Sequence, residues 1–209
     1  MGHEKLQIKC KKQIFVEGAD AKYFFIWALE EYKIEDVQVV DFGGIRDLTN
    51  FLRTWKKLEN FHMIESMLIV RDAEQSADDA MKSICGGLSC NHLPAPQQAY
   101  SFSDGKTETG QKIRIGIALL PNRLASTGTL EDLCLNMVED AQYLDVVNDF
   151  LARAANLEKL AHEHKSRVHA YLSVKNKYVG MKIGEAAKAG AWNWGCEDMK
   201  EIRSMIEAL

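Results

Sequence analysis

The chain has 209 residues, 46% hydrophobic and 27% charged, long enough to bury a real core and too apolar for a disordered segment. Its 26 Lys and Arg against 30 Asp and Glu leave a net charge of −4, so no overall basic footprint announces a nucleic-acid binder. The charge is uneven: residues 1–150 hold 16 basic and 23 acidic side chains, whereas residues 151–209 hold 10 and 7. From Lys165 to Lys188 six basic residues stand against Glu185 alone, a pattern that fits a solvated helix face or a phosphate-facing edge. Five cysteines, odd in number and irregular in spacing, follow no secretory signal and read as reduced thiols of a cytoplasmic protein. No apolar run approaches ~18 residues, so no membrane span or membrane partner is expected.

In chain order, Lys5 to Val16 ends in a β-branched and aromatic run and reads as a strand entering Glu17-Gly18. Ala19 to Tyr32 has helical spacing, with Asp20 at the acid-favouring start. Val37 to Phe42 is a second buried strand, after which Gly43-Gly44 opens a helix to Leu58. Ser66 to Val70 is short and wholly apolar, as a central strand of a parallel sheet should be. It runs into Arg71-Asp72-Ala73-Glu74 and a helix through about Ile84, which the Gly86-Gly87 and Pro94-Ala95-Pro96 breaks follow. Gln98–Phe102 and Lys112–Leu120 read as strands joined by the polar loop Ser103–Gln111. Helices are expected at 129–139, 143–156, 157–173 and 197–208.

Three successive strand–helix pairs imply right-handed crossovers and an α/β fold, a doubly wound, mostly parallel sheet flanked by helices with a helical C-terminal part. No linker divides the chain, so 1–209 reads as a single domain: a sheet core with an inserted hairpin over 1–128, then a mainly helical completion over 129–209.

Ligands of open parallel sheets bind at the carboxyl ends of the strands, and two expected strands deliver acids there. One ends in Glu17, followed by Gly18; the other ends in Asp72-x-Glu74, whose side chains share a face on extended backbone. Carboxylates converging without evident basic partners call for a cation, and hard oxygen donors suit Mg²⁺ or Mn²⁺. Each acid also has a plain reading. Asp72 with Gln75 is a capping box for the next helix, Thr129 with Asp132 caps the helix starting near Leu130, and Glu17 is an exposed strand end. Cys85-x₄-Cys90-x-His92 is at best a zinc fragment without a second half. His162, His164 and His169 fall in one expected helix, where positions i and i+2 do not share a face, so a three-histidine site is not expected. The Trp192/Trp194 pair reads as core packing or a contact in a homodimer.

These residues resemble a known family. Phe15-Val16-Glu17-Gly18-Ala19-Asp20 resembles the glutamate motif of Toprim domains, and Leu68-Ile69-Val70-Arg71-Asp72-Ala73-Glu74 resembles their Asp-x-Asp motif. Leu120-Pro121-Asn122, followed by Gly128-Thr129-Leu130-Glu131-Asp132-Leu133, is similar to the third acidic motif of the Toprim branch in overcoming-lysogenization-defect (OLD) nucleases. His169-Ala170-Tyr171-Leu172 and the stretch from Gly184 to Trp192 are similar to a prokaryotic family of stand-alone, OLD-like Toprim proteins.

The resemblance implies a phosphodiesterase of nuclease type acting on DNA or RNA with one or two Mg²⁺ or Mn²⁺ ions. Glu17 would be a metal ligand or general base, Asp72 and Glu74 would hold metal, and Glu131 with the Thr129 hydroxyl would complete the second metal's shell. Asp20 would support them. Lys165, with Lys182 as rival, would stabilise charge on the scissile phosphate. OLD proteins join their Toprim domain to an ATPase, so an ATPase partner in trans is implied. Three departures favour an alternative, a catalytically degenerate Toprim scaffold that binds nucleic acid or a protein partner. Ala21 stands where a second acid is usual, Glu74 replaces an aspartate, and no tyrosine beside the motifs serves as a topoisomerase nucleophile.

Overall fold

The structure, a computed structural model, describes residues 6–44 and 47–209. Lys5, the expected start of the first strand, lies outside the described residues. Five strands form one sheet in the order β2-β1-β3-β5-β4. They are β1 (Lys12–Val16), β2 (Val37–Asp41), β3 (Ser66–Asp72), β4 (Ser101–Lys106) and β5 (Lys112–Leu120). All neighbours are parallel except the β4–β5 hairpin. The expected doubly wound arrangement is thus observed, with β3 and its apolar Met67–Val70 run at the centre.

Alternating side chains along the strands build two cores. Ile14, Val16, Leu68, Val70, Ala118 and Leu120 face one cluster, which α1 (Gly18–Tyr32) covers together with α4 (Leu130–Asn136), α5 (Ala141–Ala155), α6 (Glu163–Val174), α7 (Ile183–Lys188) and α8 (Glu197–Glu207). Phe15, Met67, Ile69, Ile115, Ile117 and Leu119 face the other, covered by α2 (Leu48–Trp55) and α3 (Ala77–Cys90). The period-two alternation of burial is the physical reason one strand can serve both layers.

Several boundaries differ from expectation. The first strand starts only at Lys12 because the preceding segment meets a side chain in place of a ladder. Gln38 Oε1 accepts from the Lys9 N–H at 2.8 Å, and Gln38 Nε2 donates to the Gln7 carbonyl at 2.8 Å. Helix α3 runs through Gly86-Gly87 to Cys90. Gly87 serves packing there, since a Cβ would meet Thr49 Oγ1 at 3.1 Å. Strand β4 is shifted toward the hairpin because Tyr100, at φ 58, breaks extended backbone before it. The six-residue α7 was not expected as a helix; it lies against α1, where a Cβ on Gly184 would be 2.4 Å from Tyr23 Cβ. Among the described residues no helix is long and apolar enough to cross a membrane, and all five cysteines are free thiols.

Candidate functional site

The parallel register sets the carboxyl edge. Val16 is paired with Asp41 of β2 and Val70 of β3, and Asp72 with Leu120 of β5, so Glu17, Asp41 and Asp72 all emerge at the same end of the sheet. Glu17 takes the N-cap position of α1 without its side chain capping the helix. Gly18 has φ +84, a left-handed value suited to glycine. Its N–H donates to Asp41 Oδ1 at 2.9 Å, and the Gly43 N–H donates to the same oxygen at 2.8 Å. Asp41 therefore fixes the two turns that flank the site, a role not read from the sequence.

Asp72 does not cap the helix that follows it. Ser76 does, its Oγ accepting from the Asp79 N–H at 3.1 Å. Asp72 Oδ1 instead accepts from the Leu130 N–H at 2.9 Å, the first residue of α4. Burial first, then the negative charges of Glu131, Glu17 and Glu74, push the Asp72 carboxyl up to about 8, while the Leu130 N–H pulls it down. Glu74 is not on extended backbone, as the Asp-x-Glu spacing suggested. It has φ 52, and its N–H and carbonyl exchange hydrogen bonds with Gly128 at 2.8 and 2.9 Å. A glutamate held in the left-handed region is a costly conformation that the two bonds sustain. Thr129 does take part in the expected N-terminal cap, donating its N–H to Asp132 Oδ2 at 2.9 Å and its hydroxyl to the same oxygen at 3.1 Å.

One cavity of about 480 Å³ gathers most of the expected residues. Glu17, Asp20, Asp72, Glu74, Thr129 and Glu131 line it, and Lys165, His162 and His164 line it from the start of α6. Glu131 and Thr129 are buried, at 9% and 5% exposure. Ala21 also lines the cavity and is buried. Lys182 does not line it. It is the N-cap residue of α7, its N–H donating to Glu185 Oε2 at 2.9 Å. The two histidines come together, ring centroids 6.3 Å apart, because His162 precedes the helix with φ −136 and ψ 68. The helical spacing rule does not reach it there.

The carboxylates are not without a basic partner. Arg71, 3% exposed, places Nε 3.4 Å from Glu17 Oε2. Glu17 is correspondingly no exposed strand end; its side chain is 18% exposed. Among the described residues no three His, Cys, Asp or Glu are disposed to grip an ion as they stand. The donors suit a hard dication in kind, since all are oxygens, and the Asp72 carboxyl is pushed up by burial first and then by its acidic neighbours. The cysteine–histidine fragment comes apart: Cys85 Sγ approaches the Pro96 carbonyl at 3.6 Å, and His92 Nε2 lies 3.4 Å from Glu108.

Fold and cavity together define a mixed α/β protein with an acidic cleft at the carboxyl edge of a mostly parallel sheet. The chain belongs to the family described as "Protein of unknown function (DUF3226)", whose model matches residues 11–209. No curated protein matches it. Among solved structures it is similar to the C-terminal region of the Burkholderia pseudomallei OLD protein, with 13% identity, a TM-score of 0.49, and coverage of 96% of this chain and 98% of that one.

Proposed function

We propose that the chain is an OLD-like, Toprim-type phosphodiesterase that hydrolyses DNA or RNA with Mg²⁺ or Mn²⁺. The observation that carries the reading is the single cavity in which Glu17, Asp72, Glu74 and Glu131 meet Lys165. Acids alone would suit any cation site, whereas acids opposed by a lysine suit a metal ion together with an anionic substrate. Asp72, Glu74 and Glu131 would hold the metal, which when bound would activate water and neutralise charge on the phosphoryl group. Lys165 would contact the phosphate, and Glu17 would stand beside the cation to orient water. Asp20 and Thr129 would shape the rim.

The test is cleavage of labelled DNA and RNA oligonucleotides by the full chain in Mn²⁺, in Mg²⁺ and in chelator, with Asp72→Asn and Glu131→Gln as controls. Metal-dependent cleavage lost in both variants is expected. Cleavage that survives in both, or no cleavage of either polymer, counts against it.

A second reading, the degenerate scaffold, draws on Ala21, which lines the cavity where the motif usually supplies an acid. An Ala21→Asp variant that gains cleavage absent from the parent chain would favour it.

A further inference from the structure

We infer that Arg71 is a built-in counter-cation that reserves Glu17, so that the cavity takes one divalent ion, through Asp72, Glu74 and Glu131, and not two. The inference rests on the metal-dependent reading above and narrows it.

The register argues for it. Phe15 pairs with Ile69 and Val16 with Val70, so Glu17 and Arg71 follow as the next cross-strand neighbours. Phe15 and Ile69 pack into the core under α2 and α3, and period-two alternation sends Glu17 and Arg71 to that same side. Asp72, one residue on, projects with Val70 to the opposite face. Glu17 thus reaches the cavity from the layer that holds Arg71, and Asp72 reaches it from the opposite one.

Chemistry makes the pair durable. Arg71 is 3% exposed, and a guanidinium does not give up its proton at any working pH. Its Nε and Nη1 are buried without hydrogen bonds, so the Glu17 carboxylate at 3.4 Å is the anion that compensates it among the described residues. Pulling Glu17 onto a metal would strand a buried charge, which proteins avoid. A second dication beside Glu17 would also sit next to this guanidinium, where little solvent screens the repulsion. Glu17 is therefore a positioning residue paired with Arg71, and three acids remain for one ion.

The experiment counts Mn²⁺ bound per full-length chain, reading free Mn²⁺ by electron paramagnetic resonance, with a short oligonucleotide present to supply phosphate oxygens. The wild type should bind one ion. Glu17→Gln should keep it, with affinity changed by no more than about threefold, whereas Asp72→Asn should weaken it by more than about tenfold. Because Glu17→Gln leaves Arg71 uncompensated and risks unfolding, the double variant Arg71→Met/Glu17→Gln removes both charges and should also bind one ion. Two ions per wild-type chain, or loss of binding in the double variant while it remains folded, overturns the inference and leaves the metal site standing. No Mn²⁺ bound to the wild type overturns the metal-dependent reading with it.

Discussion

The Asp72 carboxylate accepts a hydrogen bond from the Leu130 N–H at 2.9 Å across 58 residues of sequence. The central strand thereby satisfies one of the free N–H groups at the start of α4. With the Glu74–Gly128 bridge beside it, this contact stitches α4 to the carboxyl edge and brings Glu131 into the cavity. Asp72 is at once a structural acceptor and an acid of the site whose carboxyl is pushed up by burial.

A pH signature follows. The Asp72 carboxyl is pushed up to about 8 in the fold from an ordinary 3.8, so between these values the folded chain holds a proton that the unfolded chain releases. Stability from this group is full below about pH 4 and is lost as pH rises through about 8, by several kcal/mol in order of magnitude. Asn keeps an oxygen for the Leu130 N–H and carries no charge. Metal-free Asp72→Asn should therefore be more stable than wild type at pH 8, with the gap closing toward pH 4. Urea unfolding across that range checks it; parallel pH profiles would contradict it.

Asp41→Ala should lower the free energy of unfolding by about 2 kcal/mol, because two N–H groups lose a charged acceptor. The same change should weaken Mn²⁺ binding by about tenfold, as expected when a residue that orients the site is removed. Asp41→Asn, which retains an acceptor, should be milder on both readouts. Thermal unfolding and metal titration of the two variants measure these effects.

Lys165→Ala should leave Mn²⁺ binding unchanged, weaken oligonucleotide binding, and flatten its salt dependence by a slope of about one. Lys182→Ala should change neither, since Lys182 lies outside the cavity as the N-cap residue of α7. Fluorescence anisotropy at several salt concentrations separates the two lysines.

Gly184→Ala should cost about 1–3 kcal/mol through overpacking, because the new Cβ would lie 2.4 Å from Tyr23 Cβ. Gly18→Ala meets nothing within 4 Å but must hold φ +84, which costs about 1–2 kcal/mol. Equilibrium unfolding of both variants tells steric from conformational cost, since removing the Tyr23 Cβ, as in Tyr23→Gly, should relieve the overpacking of Gly184→Ala and leave the cost of Gly18→Ala untouched.

Much of the sheet was legible because β3 and β5 are apolar runs with clear ends, and acids at strand ends have few other places to go. Glu17, Asp72, Glu74, Glu131 and Lys165 accordingly meet in one cavity. What escaped depends on tertiary placement. The ion pair of Arg71 with Glu17 needs the β1–β3 register, which sequence alone does not supply. The Asp72 contact with Leu130 spans helix α3, the β4–β5 hairpin and a loop, whereas capping rules search within four residues. Gly86-Gly87 reads as a break because a glycine pair is a poor helix former; α3 continues through it, with Gly87 allowing close approach to Thr49 of α2. Helix α7 is too short for periodicity to register, and His162 with His164 escaped because one of them stands outside the helix.

The most direct test of the account is a calorimetric Mn²⁺ titration of wild type and Asp72→Asn, each with and without a short oligonucleotide. The account predicts saturable binding to the wild type, strengthened by the oligonucleotide, and its loss in Asp72→Asn. Equal heats from the two proteins, or no binding by the wild type even with the oligonucleotide present, would contradict it.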